Sequence, residues 1–284
     1  MLPNTFQHIP GIGRKTEERI WAAGITDWQA FAEIPDCGLL QKTVAALQAY
    51  CPESQVQLDR GNPVYFEKLL PAALSWRFFP EFRNRTAYLD IETDGLDSYY
   101  GHITTIALYD GRDIFWYING RNLEEFVEDI QKYQVLVTYN GKTFDIPYIQ
   151  SYLRIKMPQA HIDLRYVLAS LGYKGGLKHC ERALGVGRPD LEGIDGAFAP
   201  LLWREYQIRN KRAALVTLLA YNIADVVNLE ALMVTAYNLK VAQTPFAQTN
   251  RIGKPRPPAL PFKPDRATVE NIRSRALSIH SYDY

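Results

Sequence analysis

Cysteine is scarce in this chain: the three present, Cys37, Cys51 and Cys180, are odd in number and far apart. No CxxC pair occurs, so neither a disulfide framework nor a zinc site finds support, and a reducing cytoplasm is the expected compartment. An excess of one charge is also missing. With 32 basic and 31 acidic residues the formal net charge is +1, so the chain as a whole does not attract polyanions, and any anionic partner must be held by local patches or bound cations. Long apolar runs are lacking too. No stretch approaches the roughly 18 apolar residues of a membrane span, and Met1 to Pro10 lacks the basic flank and apolar core of an export signal. A soluble protein without membrane contact is expected. What remains is an ordinary globular composition, 47% hydrophobic and 22% charged over 284 residues, enough for one large domain and a small one.

The chain opens with HIPGIGRKTEERIWAAGITDWQAF: a Pro-Gly-Ile-Gly hairpin, a short helix stopped by Gly24, and Thr26 or Asp27 as N-cap of the next helix. A further helix is expected after Asp36, because Leu40, Val44 and Leu47 share one helical face. Residues 1–51 thus read as a small all-helical module. Between residues 52 and 84, Pro63, Pro71 and Pro80 interrupt an aromatic-rich stretch, Tyr65, Phe66, Trp76, Phe78, Phe79 and Phe82, that reads as a packed connector.

From Thr86 the pattern turns to β: TAYLDIET, ITTIALYD and DIFWYI, the last two separated by the turn signal Asp110-Gly111, form an expected meander. Leu123 to Tyr133 has a helical period and precedes the apolar strand VLVTYN, so a crossover onto a parallel neighbour follows. Helices are expected over about Asp145–Leu153, Leu164–Leu171, Leu177–Leu184 and Lys211–Leu239. A mixed sheet flanked by helices, an α/β fold spanning about residues 85–240, is the result. Residues 241–284 contain PRPPALPFKP, read as a proline-dense linker, and a short amphipathic segment with Arg266, Arg273 and Arg275, read as a solvated basic end.

Asp90 and Glu92 are two apart on TAYLDIET, so both carboxylates leave one face of the strand, where they repel unless a cation or proton lies between them. Leu89 and Ile91 then face the opposite, packed side. Asp145 opens a helix at the end of a strand, a place favoured for ligand sites in α/β sheets; a plain N-cap is its bland alternative. Asp225 lies four residues after Tyr221, so phenol and carboxylate share one helix face, and a buried Tyr-Asp hydrogen bond would explain the pair equally well. His161 and Asp163 are two apart without a third ligand, so Asp163 reads as the cap of the following helix.

Together YLDIETDGL, NGKTFD and YNIADVVNL resemble the three motifs of the DEDD superfamily of 3′ to 5′ exonucleases, in the branch whose third motif carries tyrosine. The approach Leu70, Pro71 and Trp76 to Phe82, with the helical module ahead of it, is similar to that of YprB-like bacterial ribonuclease-H-like proteins. This resemblance implies a ribonuclease-H-like fold and a site of Asp90, Glu92, Asp145 and Asp225 holding two Mg²⁺ or Mn²⁺. Tyr221, a poor base at neutral pH, would orient the attacking water. It further implies that Asn140 and Phe144 touch the terminal nucleotide, and that Lys178, in the helix start Gly175-Gly176-Leu177-Lys178, meets a phosphate. The turn around Gly11 and Gly13, followed by Arg14 and Lys15, looks like a helix-hairpin-helix that offers backbone amides to a phosphate. Such modules also dock proteins, and the tail is a second candidate dock for a protein partner; Glu17 and Glu18 dilute the basic patch.

The leading expectation is therefore a 3′ to 5′ exonuclease on single-stranded or frayed DNA, with RNA as the alternative polymer. Two further readings stay open. One is an endonuclease or ribonuclease of the same fold, since the carboxylates set the reaction and the groove sets the substrate. The other is a catalytically idle nucleic-acid-binding subunit of a repair or defence complex.

Overall fold

The computed structural model describes residues 1–33, 38–95, 101–187 and 198–280; Asp36 and Cys37 fall outside them. Five strands, β1 (Thr86–Thr93), β2 (Ile103–Tyr109), β3 (Ile114–Ile118), β4 (Val135–Thr138) and β5 (Ala160–Asp163), make one sheet of order β3-β2-β1-β4-β5. The expected meander gives the antiparallel half, β3-β2-β1, and the crossover adds β4 and β5 parallel to β1. Asp110 closes the β2–β3 turn by accepting from the amides of Arg112 and Asp113, and Gly111 supplies a φ of 91°.

The helices are α1 (Arg14–Ala22), α2 (Gln41–Asp59), α3 (Pro63–Leu69), α4 (Phe79–Phe82), α5 (Phe126–Asp129), α6 (Asp145–Leu153), α7 (Leu164–Ala169), α8 (Leu177–Ala183), α9 (Ala199–Arg209), α10 (Arg212–Val241) and α11 (Arg266–His280). Alternation along β1 divides the core. Leu89 and Ile91 pack with Ile106, Leu108, Phe126 and Ile149 on one face, as expected from the strand period. Tyr88, Ala107, Tyr109 and Val137 meet Leu218, Leu219 and Ile223 of α10 on the other. With 30 residues, α10 has the length and apolarity of a membrane span, against the expectation that no such stretch exists, but it is almost wholly buried within the protein. Thr217, Asn222, Asp225 and Asn228 interrupt its apolar sequence and find polar partners inside the fold.

Several expectations change in detail. The helical period of Leu123 to Tyr133 is realised as α5 between two 3-10 turns, Leu123–Glu125 and Ile130–Lys132. Leu47 is buried as expected of α2, yet Leu40 stands exposed at the N-cap. Helix α2 continues through Pro52, while Pro63 lies in the first turn of α3 and Pro80 in that of α4, where no amide is needed. Helix α9 was not expected.

The helical N-terminus is locked to the rest by charge. Glu17, buried in α1, accepts from the amides of Phe6 and Gln7 and pairs bidentately with the buried Arg77 at 2.6 and 2.8 Å. Contrary to the expectation from sequence, it therefore does not dilute a basic surface. The tail is also not a solvated linker. Phe246 packs edge-on against Trp21, Phe262 against Trp116, Asn250 bonds Asn4, and Asp265 bonds Thr217. Arg275 pairs with Glu205 and Arg273 lies over the Phe198 ring, so both of these arginines serve packing.

Candidate active site

Three elements deliver the acidic residues to the α10 face of the sheet. Asp90 and Glu92 project from β1 in register with Ala107 and Thr105 of β2. Asp145 is the first residue of α6, and Asp225 comes from the middle of α10. Glu92, Asp145 and Asp225 are buried, whereas Asp90 is partly open.

Each carboxylate is held by a different partner. Asn222 donates to Asp90 Oδ2 at 2.7 Å, and its own carbonyl accepts from Thr105 at 3.1 Å. The Ile91 amide donates to Asp145 at 3.2 Å. Asp145 is thus no plain N-cap: Phe144 holds that position, and the Asp145 carboxylate reaches across to β1. Lys178 forms an ion pair with Asp225 and a second, at 3.1 Å, with the buried Glu181, which Asn228 anchors at 2.8 Å.

The electrostatics reflect four acids in a confined space. Burial, then the charges of Asp145, Glu92 and Asp225, push Asp90 well above the usual carboxylate range, opposed only by Asn222. Burial together with Asp225 and Asp145 does the same to Glu92, which Lys178 partly relieves. Burial raises Asp145 to about 7, even though its amide bonds favour the charged form. Asp225 rises to about 6 through burial, held down by Lys178. Such a crowd is stabilised by protons or by cations.

As placed, no three acidic, histidine or cysteine side chains among the described residues form a ready ion cage, and Asn222, Ile91 and Lys178 each hold one carboxylate. The donor set nevertheless fits a hard divalent cation: buried carboxylate oxygens, mutually repelling, with one ammonium between two of the acids. Tyr221 is buried beside them, its ring 5.1 Å from the Lys178 ammonium. Burial and the nearby Asp225, Glu92 and Asp90 push its phenol far above the ordinary tyrosine value, so it stays protonated.

The loop between β4 and α6 carries the other candidates. Asn140 has a left-handed φ of 69°, and its side-chain oxygen is occupied by Arg165 and by Thr143. Asp163 collects the amides of Asn140, Lys142 and Arg165, so it caps α7 as expected and also fixes this loop. Phe144 is 43% exposed, which removes it from the core. His161 bonds Thr138 at 2.8 Å while Asp163 is taken up by backbone amides, so the two are not arranged as a metal pair; burial lowers the His161 pKa to about 3. Lys178, expected at a phosphate, is placed instead on Asp225 and Glu181.

Around Gly11, with φ of 82°, and Gly13, the N-cap of α1, the backbone faces open space. A single 3-10 turn, Leu2–Asn4, precedes this turn in place of a full helix. Arg14 pairs with Glu18 at the surface, and Lys15 is exposed. Sequence reasoning missed Asn222, Glu181 and Asn228. The spacing held a signal: Asn222 and Asn228 lie three residues either side of Asp225 and so share its helix face.

A family model described as RNase_H superfamily matches residues 87–237, more than half of the chain. No curated protein matches. Among solved structures, the family B DNA polymerase from the hyperthermophilic archaeon Pyrobaculum calidifontis is similar at 15% identity and a TM-score of 0.37, over 55% of this chain and 29% of that one.

Proposed function

Since the chain belongs to the RNase_H superfamily, we propose that it is a metal-dependent nuclease of the tyrosine-bearing DEDD branch, similar to YprB-like proteins, removing nucleotides from 3′ ends of single-stranded or frayed DNA. The observation that carries this reading is the convergence of Asp90, Glu92, Asp145 and Asp225 from three elements onto one sheet face, where burial raises all four pKa values and neighbouring site carboxylates raise those of Asp90 and Glu92 further. These four would hold two Mg²⁺ or Mn²⁺, which supply the Lewis acidity that acidifies water and stabilises both the attacking and the leaving oxygen of an in-line displacement at phosphorus.

The chain's own groups divide the remaining work. Asn222 fixes the rotamer of Asp90 through a bond that Thr105 braces. The Ile91 amide fixes Asp145. Tyr221, protonated throughout, donates a hydrogen bond that orients the attacking water without abstracting its proton. Phe144, exposed beside Asp145, offers a ring on which the terminal base stacks, while Asn140 holds the loop and presents its remaining polar atoms to the sugar. Lys178 leaves room for metal by resting on Glu181, from which it reaches a phosphate. The turn of Gly11, Gly13, Arg14 and Lys15 contributes a sequence-independent phosphate contact.

The test is incubation of 5′-labelled single-stranded DNA and RNA of one sequence with Mg²⁺, with Mn²⁺ and with chelator, beside Asp90→Ala. A metal-dependent ladder shortening from the 3′ end and absent in the variant supports the proposal and identifies the preferred sugar. No cleavage under any condition overturns it in favour of a binding subunit.

A further inference from the structure

The segment from Phe246 to Asp265 contains no acidic residue before its last position, and it carries Arg251, Lys254, Arg256 and Lys263 among five prolines, Pro255, Pro257, Pro258, Pro261 and Pro264. It crosses the protein as a strap with two sides. Ile252, Leu260 and Phe262 pack inward on the core, whereas Arg251, Lys254, Arg256 and Lys263 are exposed. Both ends are pinned. Phe246 lies against Trp21 of α1, Asn250 bonds Asn4 and accepts from Tyr237 through its carbonyl, and Ile252 exchanges hydrogen bonds with Asn238. At the far end the Phe262 ring meets Trp116 at 5.1 Å, and the Asp265 amide bonds Thr217 of α10.

The register of the sheet puts this far end beside the acidic site. Trp116 pairs with Ala107, and Ala107 pairs with Asp90, so Trp116 shares the sheet face of Asp90 at a remove of two strands, about 10 Å. None of the four exposed cations has an ion-pair or hydrogen-bond partner among the described residues, in contrast to Arg273 and Arg275 of the following helix. In a chain whose net charge is only +1, this is a local concentration of unneutralised positive charge on a backbone stiffened by proline. From Lys254 to Lys263 an extended chain reaches roughly 30 Å, enough to meet several successive phosphates.

We propose that this strap is a binding site for the phosphodiester backbone of the nucleic acid whose end is processed at the acidic site. Arg251, Lys254, Arg256 and Lys263 are its ligands, reading charge and not sequence. The inference rests on the nuclease reading for the identity of the polyanion. Because proline and the inward aromatic anchors order the strap beforehand, binding forfeits little conformational freedom there. Duplex and single strand share the chemistry it recognises, and the length of strand bound is set by the strap and not by the catalytic pocket.

The experiment is fluorescence anisotropy of a labelled single-stranded oligonucleotide of about 30 nucleotides in chelator, so that binding is read without cleavage. Wild type is compared with the variant carrying Arg251→Gln, Lys254→Gln, Arg256→Gln and Lys263→Gln. These side chains are exposed and unpaired, so circular dichroism and Tm should match wild type, and a second variant with only Lys254→Gln and Arg256→Gln should show an intermediate effect. The expected result is a Kd at least about tenfold weaker near 0.1 M salt. The slope of log Kd against log salt should fall by up to about 3, the counterion release of four single-strand phosphate contacts. An unchanged Kd and slope overturns the proposal, as does equal competition by polyglutamate of matched charge, which would assign the strap to acidic polypeptide. Failure of the nuclease reading appears separately, as absence of metal-dependent cleavage by wild type.

Discussion

Replacing Asp145 by asparagine should make the protein more stable in chelator while abolishing cleavage. The carboxylate is buried, and its pKa rises from 3.8 to about 7 chiefly through that burial. An acid whose folded pKa exceeds its unfolded value opposes folding fully above the folded pKa, and ceases to do so below the unfolded one. The gap corresponds to roughly 4 kcal/mol at pH 8, less than about 2 at pH 5 and little near pH 4. Asparagine keeps an oxygen to accept from the Ile91 amide, so the exchange removes charge without leaving that donor bare. Relaxation of neighbouring carboxylates trims the gain, and an increase of about 2–4 kcal/mol at pH 8 is expected. Urea unfolding of both proteins in chelator at pH 8 and pH 5 measures it. A variant no more stable than wild type at pH 8, or a difference that fails to narrow at pH 5, would refute the reasoning. With Mn²⁺ at about 1,000 times its Kd the order should reverse, since a bound ion then stabilises wild type by about 4.1 kcal/mol, more than the variant gains.

Five other substitutions test the same geometry. Tyr221→Phe should lower kcat with Mn²⁺ affinity by calorimetry unchanged, because the ring and its position over Lys178 persist. Asn222→Ala frees Asp90 and strands Thr105, so a destabilisation of about 1–3 kcal/mol by denaturant titration should accompany a fall in kcat larger than any change in KM. Arg77→Ala leaves Glu17 buried with only amide donors and should cost about 3–5 kcal/mol, whereas Arg14→Ala, at an exposed pair, should leave Tm within a degree or two. Gly141→Ala places a Cβ 2.2 Å from the Thr138 hydroxyl; the displaced loop should show as lost cleavage with near-native circular dichroism.

The strand pattern from Thr86 to Thr138 is legible as a sheet because its side chains alternate between two packed faces, and that alternation by itself puts Asp90 and Glu92 on one face. Helix α10 was legible over about Lys211–Leu239, although its apolarity along a membrane-span length was not. What escaped was the partner set. Nothing local distinguishes Glu181 from any polar helical residue, and spacing puts Asn222 on the face of Asp225 without saying what it holds; both acquire meaning only when Thr105, Asp90 and Lys178 arrive from distant segments. Glu17 misled for a related reason. It reads as a surface charge in an amphipathic helix, and only the approach of Arg77, 60 residues later, makes a buried carboxylate tolerable. The tail misled through proline: a proline-dense stretch signals absence of regular structure, which is correct, but does not tell a free chain from one laid on a surface by Ile252, Leu260 and Phe262.

The bond between Asn250 and Asn4, 246 residues apart in sequence, bears on how the molecule is made. The helical module leaves the ribosome well before the strap, yet one of its flanks stays bare until the strap has been synthesised and laid across it. Its final seating therefore waits for a distant, later segment, and a chain halted before Phe246 would expose Trp21 to quality control.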